Sequence, residues 1–276
     1  LYNVLIKPIE IDLKQADAKT IIYAPDGKLR YVPLAALYDG QNWLVQKFII
    51  NNITAASLTK LDNQPPKSLQ TLAAAFTKGD YTVKLAQGEQ TFSGLRFAKE
   101  EVEDIAKIIP GTKIILDRDF SLQGAVPQMN DYQIVHLATH GMLVSGNPED
   151  SFIVFGDGER ATLRDIENWS LPNVDLVVLS ACQTGLGGKL GNGQEILGLG
   201  YQIQLAGAKA VMASLWSVSD GGTQALMNGF YTALKAGNTT KAQALQTAQI
   251  TLLTDPNSQF HHPYYWSSFI LIGNGL

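Results

Sequence analysis

Apolar positions in this chain gather in short unbroken runs, separated by stretches of helical period. A run of four to eight apolar residues closed by polar or turn residues reads as a buried strand. Leu69 to Phe76, Lys113 to Leu116, Tyr132 to Ala138, Phe152 to Phe155, Val174 to Ser180, Lys209 to Leu215 and Ser268 to Ile272 all fit that form. Phe97 to Ile109 instead sets Val102, Ile105, Ala106 and Ile109 at i, i+3, i+4 and i+7, which predicts an amphipathic helix with its acids on the other face. Further helices are expected near 121–128, 162–169 and 194–206, with two more across 222–253. Strands alternating with helices imply a mostly parallel sheet covered on both faces, an α/β three-layer architecture.

The opening is patterned differently. Residues 20–32 read as two short strands around Pro25-Asp26-Gly27, and 43–53 as another β-rich stretch. Pro65-Pro66-Lys67-Ser68 is the clearest punctuation, so the expected division is a β-rich N-terminal subdomain over 1–66 and an α/β core over 67–276. Residues 79–94 are polar and aperiodic, and a surface loop is expected there.

Composition narrows the function classes. Hydrophobic residues make up 45% and charged residues 17%, ordinary values for a globular protein. A net charge of −4 offers no basic field for nucleic acid or an anionic membrane. No apolar run approaches the roughly 18 residues of a membrane helix, and the first residues lack a signal peptide's basic and apolar regions. The single cysteine rules out an internal disulfide and a zinc site of several thiolates, and it fits a reducing cytoplasm. The chain opens on Leu rather than Met, so an excised domain with modules upstream is expected.

Two of the apolar runs end in reactive residues. One leads through His136-Leu137-Ala138-Thr139-His140-Gly141, the other through Leu179-Ser180-Ala181-Cys182-Gln183-Thr184-Gly185, with Cys182 placed 42 positions after His140. Carboxyl ends of parallel strands face the ligand crevice, so neighbouring ends can present a nucleophile and a base to one substrate. A thiol of ordinary acidity is only a few per cent ionised at neutral pH, and an imidazole can take its proton and return it to a leaving amine. Gly141 lets its backbone N–H approach an oxyanion, and the Cys182 N–H is a second candidate donor. A lone cysteine is also among the most buried residue types, so a structural Cys182 stands as the alternative.

Other candidates carry less. His136 lies mid-strand among apolar residues and reads as a hydrogen-bonded structural histidine; His261 and His262 precede Pro263 and read as capping or packing groups. The glycine-rich stretch 185–193 fails as a phosphate-binding loop, because Gln183 and Leu190 stand where Gly and Ser or Thr are required. It fails as a dinucleotide motif too, since Ile196 replaces the third glycine. No cofactor and no metal are expected. Lys189 in that loop is a plausible site of proteolytic nicking.

These motifs, with Gly193-Gln194-Glu195, Ala206-Gly207-Ala208, Ser214-Leu215-Trp216-Ser217-Val218-Ser219-Asp220 and His262-Pro263 with Tyr265-Trp266 and Phe269, resemble the CHAT domain in one order along nearly the whole chain. That group of caspase-like His/Cys peptidases is related to separases and is often attached to tetratricopeptide repeats. The resemblance implies a caspase-like fold, His140 as general acid/base, Cys182 as nucleophile, an oxyanion hole from the Gly141 and Cys182 backbones, and no third catalytic side chain. Metacaspases carry an acid two positions before the cysteine, where this chain has Ser180. Similarity to a separase segment instead offers Asp220 to a basic P1 side chain and Trp216 as a pocket wall. The competing roles are a helix cap for Asp220 and a core position for Trp216. Glu195 and Asp150, near the expected rim, are not assigned to catalysis.

The resemblance implies a cytoplasmic cysteine endopeptidase acting on a protein or peptide partner, with an upstream repeat domain or regulatory protein. A catalytically silent scaffold and a thioester amidase or acyltransferase are the alternatives.

Overall fold

The computed structural model describes residues 1–54, 59–61, 69–85, 88–142, 151–180 and 194–276, without the side chains of residues 85, 194–197 and 220. In chain order the strands are β1 (Thr20–Tyr23), β2 (Ile49–Asn52), β3 (Thr71–Ala75), β4 (Asp80–Leu85), β5 (Gly88–Ser93), β6 (Lys113–Leu116), β7 (Ile134–Ala138), β8 (Gly141–Met142), β9 (Phe152–Val154), β10 (Arg160–Thr162), β11 (Leu176–Ser180), β12 (Ala210–Ser214) and β13 (Phe269–Gly273). The helices are α1 (Tyr2–Leu5), α2 (Glu10–Gln15), α3 (Ala98–Ile108), α4 (Leu122–Ala125), α5 (Leu163–Glu167), α6 (Gln194–Leu205), α7 (Asp220–Lys235), α8 (Lys241–Thr254) and α9 (Pro263–Trp266).

Among the described residues, eight strands form one sheet in the order β1-β2-β13-β12-β11-β7-β3-β6. Only the β12/β13 pair is antiparallel within it. Strands β3, β7, β11, β12 and β13 are buried along their whole length, which is why they read as unbroken apolar runs. One sheet face packs Val135, Leu137, Val177 and Leu179 against Ile166, Leu199 and Ile203 of α5 and α6. The other packs Ile134, Leu176 and Val178 with Ile105, Leu226, Phe230 and Leu245 of α3, α7 and α8. The expected three-layer α/β architecture is therefore present.

The opening segment departs from its β-rich reading. It begins with α1 and α2, and the second strand expected around Pro25-Asp26-Gly27 is a 3-10 turn over Gly27–Tyr31. The Asp26 carboxylate accepts from the Gly27 N–H and pairs with Arg30 at 2.8 Å, closing that turn locally. Strands β1 and β2 do form, and they extend the central sheet. The division proposed near residue 66 falls outside the described residues.

Residues 79–94, expected as a loop, are a β-hairpin of β4 and β5. Val83 and Phe92 on its inward face are buried and Tyr81 there packs on Phe76, while Thr82 and Thr91 face outward and bond each other at 2.9 Å. One polar face hid the period of two.

Candidate active site

Strand β3 lies between β6, which follows it in sequence, and β7, which returns to its other side. That reversal is the topological switch point of an open α/β sheet, and its crevice lies outside the carboxyl ends of β3 and β7. Phe76 follows β3 there, and Thr139-His140 follow β7.

Thr139 steers the chain off the sheet. Its N–H still donates to the Ser180 carbonyl at 3.1 Å, extending the β7–β11 ladder, while its hydroxyl donates to the Val154 carbonyl. His140 then pairs with β9, its carbonyl accepting from the Val154 N–H at 2.8 Å. Strand parity would have put His136 and His140 on one face; the bend at Thr139 separates them. The His136 ring contacts Tyr231 of α7, whereas the His140 ring lies against Phe76 and Phe92, with centroids 5.6 and 5.4 Å away.

His140 is buried, and its Nε2 lies 2.7 Å from the Ser93 carbonyl oxygen. A carbonyl only accepts, so Nε2 carries the proton and the basic lone pair of the neutral ring is on Nδ1. A backbone carbonyl and two aromatic rings thus bear on the orientation of the imidazole. Ser93 ends the β4–β5 hairpin. The hairpin base is held by Ser93 Oγ donating to Asp80 at 2.5 Å, the Gly94 N–H donating to the Gly79 carbonyl at 2.9 Å, and the Leu95 N–H donating to Phe76 at 2.9 Å.

Gly141 pairs with Ile153 in the antiparallel β8–β9 ladder. The Val154-to-His140 bond makes Gly141/Ile153 a non-hydrogen-bonded pair, so the Gly141 N–H points away from β9. The donor expected at this glycine is directed off the small sheet.

Beneath the two strand ends lies a buried polar chain. His136 Nε2 is 2.9 Å from Oε1 of Glu101 on α3, its Nδ1 is 3.0 Å from the Tyr231 hydroxyl, and the Ser180 hydroxyl donates to the same Glu101 oxygen. His136 is thus the hydrogen-bonded structural histidine expected. Glu101 corrects the helix reading: its acids were assigned to the outer face, yet this one is only 4% exposed. The signal was present, because Glu101 stands four residues before Ile105, inside the apolar stripe. Burial, and then the Glu101 carboxylate, push the Tyr231 hydroxyl well above its ordinary acidity range, which keeps it a donor to His136.

Cys182, Asp150 and Lys189 lie outside the described residues. So does the Glu195 side chain, although residue 195 falls in the first turn of α6. Residue 220 is the first of α7 with Ser219 at its N-cap, so Asp220 is not the cap that one reading made it. Trp216 is half-buried at the edge of the β12 core and stacks on Tyr264, its indole N–H donating to the Tyr264 carbonyl at 2.9 Å. His262 caps α9 by accepting the Tyr264 N–H at 3.1 Å, and His261 Nδ1 donates to the Leu253 carbonyl at 3.1 Å. Among the described residues no three His, Cys, Asp or Glu side chains converge as a metal set, and no helix is long and apolar enough to cross a membrane.

A mostly parallel sheet with a histidine at the switch-point strand end defines the caspase-like α/β class, and solved structures agree. The chain superposes on the Arg-specific cysteine proteinase gingipain R with a TM-score of 0.60 at 12% identity, covering 99% of this chain and 68% of that one. The complex of the Porphyromonas gingivalis pro- and mature domains gives the same TM-score and identity, covering 99% and 69%. The Saccharomyces cerevisiae separase–securin complex matches with a TM-score of 0.56 at 11% identity, covering 88% of this chain and 15% of that one. The CHAT domain family model matches residues 1–274, and the chain belongs to that family. Among curated proteins, human tetratricopeptide repeat protein 28 is 24% identical over 327 residues. The alignment takes in all of this chain, which spans 13% of that relative's length.

Proposed function

We propose that this domain is a cysteine endopeptidase in which Cys182 is the nucleophile and His140 the general acid/base. The observation that carries the reading is the placement of His140: buried at the switch-point strand end, protonated on Nε2 by its bond to Ser93, and one ladder step from Ser180, two residues before Cys182. The Cys182 thiol gives its proton to His140 Nδ1, and the thiolate attacks the scissile carbonyl carbon. Gly141 and Cys182 N–H groups receive the oxyanion. As the C–N bond breaks, His140 returns the proton to the departing amine; water deprotonated by the same ring then hydrolyses the thioester and regenerates the thiol.

The substrate is a protein or peptide. Gingipain R is an Arg-specific cysteine proteinase and a separase is solved with securin, which supports a protein or peptide substrate here. The similarity to a tetratricopeptide repeat protein supports a repeat domain or regulatory protein as partner. A single thiol stays free in the reducing cytoplasm, which is the proposed location. Asp220 is proposed to meet a basic P1 side chain, with Trp216 beside it.

The test is a peptide library varied at P1, run with wild type, Cys182→Ala and His140→Ala, together with an acyl-mimicking thiol inhibitor. Each substitution is expected to lower kcat/KM by at least about 10³-fold, as removal of a nucleophile or its base does. Wild type that neither cleaves nor labels at Cys182, with candidate partners added, would leave a scaffold role instead. A P1 preference unaltered by Asp220→Ala removes Asp220 from the pocket.

A further inference from the structure

The caspase-like dyad depends on how two strand ends are offset, and backbone pairing alone leaves their side chains unpinned. One oxygen of Glu101 addresses both strands, accepting from His136 of β7, four residues before His140, and from Ser180 of β11, two residues before Cys182. Directly paired in the ladder, His136 faces Val178, and Ser180 faces Ala138. The three groups therefore form a diagonal brace across the β7–β11 pair. Its anchor, α3, is tied in turn to α7 by Gln224 and Asn228, which donate to Asp104 at 3.0 and 3.4 Å.

We propose that Glu101 is a positioning residue that fixes the relative placement of His140 and Cys182 by bridging the two strands that precede them in sequence. The inference rests on the peptidase reading above. Four polar groups, each no more than 4% exposed, stand here where the flanking positions Ile134, Leu176 and Val178 are aliphatic. A well-packed apolar set would hold the layers together as firmly, but dispersion contacts slide, whereas charge-assisted hydrogen bonds fix direction and distance. The acid that metacaspases carry two positions before the cysteine has no counterpart in Ser180 itself. Instead Ser180 receives a carboxylate from α3 on the side of the sheet opposite the Phe76–Phe92 niche of His140.

Ser180→Ala, Glu101→Gln and Glu101→Ala separate positioning from bulk stability. Ser180→Ala deletes one arm and leaves the Glu101–His136 bond, so it is the variant expected to fold as wild type by far-ultraviolet circular dichroism and melting. Its kcat is expected to fall about tenfold, and that of Glu101→Ala about 100-fold, with KM within about twofold, because misplacing reacting groups by an ångström costs that order. Glu101→Gln is expected to recover most of the loss, since its amide oxygen still accepts from both neighbours. Alkylation of Cys182 by iodoacetamide should slow in the same order without any peptide present. Folded Ser180→Ala and Glu101→Ala proteins with wild-type kcat and alkylation rates would overturn the inference. If wild type shows no His140-dependent cleavage or alkylation, the peptidase reading itself fails. Positioning is then decided by the ring nitrogen shifts of ¹⁵N-labelled His140: displaced in both variants they support the brace, unchanged they overturn it.

Discussion

At Thr139 the polypeptide leaves the central sheet while one of its bonds stays behind, and this small disagreement between amide and hydroxyl sends two histidines four residues apart to opposite faces. His136 is then free to serve structure. Tyr231 and Glu101 satisfy its two ring nitrogens, so Tyr231→Phe leaves a buried Nδ1 without a hydrogen-bond partner. That substitution is expected to cost about 1–3 kcal/mol at neutral pH, measured by chemical denaturation. Its pH signature is specific. The native hydroxyl is held above the ordinary range by burial and by Glu101, so above pH ~10 the unfolded chain releases a proton that the native state keeps. The contribution is full below the unfolded value and is lost as pH rises toward the native one. Stability should therefore decline above pH ~10, and the decline should be shallower in Tyr231→Phe. Tyr2, raised by burial and then Glu10, and Tyr23, raised by burial, supply the slope that remains.

Among the elements, the hairpin of β4 and β5 matters most to the site. Its base passes so close to β3's exit that a Cβ on Gly94 would sit 2.3 Å from the Lys78 amide nitrogen and 2.4 Å from the Thr77 carbonyl carbon. Backbone cannot yield there as a flexible side chain would. Gly94→Ala is accordingly expected to push the hairpin base outward, carry Ser93 away from His140, and lower kcat more than it raises KM, as steady-state kinetics on one peptide would show. The parallel strands were legible in the sequence because burial on both faces makes them unbroken apolar runs, and the same runs pointed to His140 just past the end of β7. The hairpin was not, since one face is polar and the inward Tyr81, Val83 and Phe92 are spread among polar neighbours. Nor was Ser93, whose carbonyl acts without its side chain and so leaves no residue-type signal. Glu101 has the residue type of a surface acid, and only its place in the Ile105 stripe, facing a strand that bears His136, distinguishes it. In the opening segment, local side-chain bonds from Asp26 outweighed the strand propensity of its neighbours.

For the whole molecule, the arrangement divides the imidazole's surroundings between two parts of unequal strength. On one side are β3, β7 and β11, buried throughout and paired across long stretches of sequence, so they yield only when the core does. On the other is a hairpin with one solvated face, whose internal contacts are nearly all local. Amides of residues 80–93 are expected to exchange hydrogen faster than those of 134–138 and 176–179, read by mass spectrometry. The Ser93 carbonyl belongs to the weaker part. Warming is therefore expected to release the ring before the sheet loosens: the proposed cleavage should fade a few degrees below the calorimetric transition and return fully on cooling, a heat-sensitive site seated on a firmer frame.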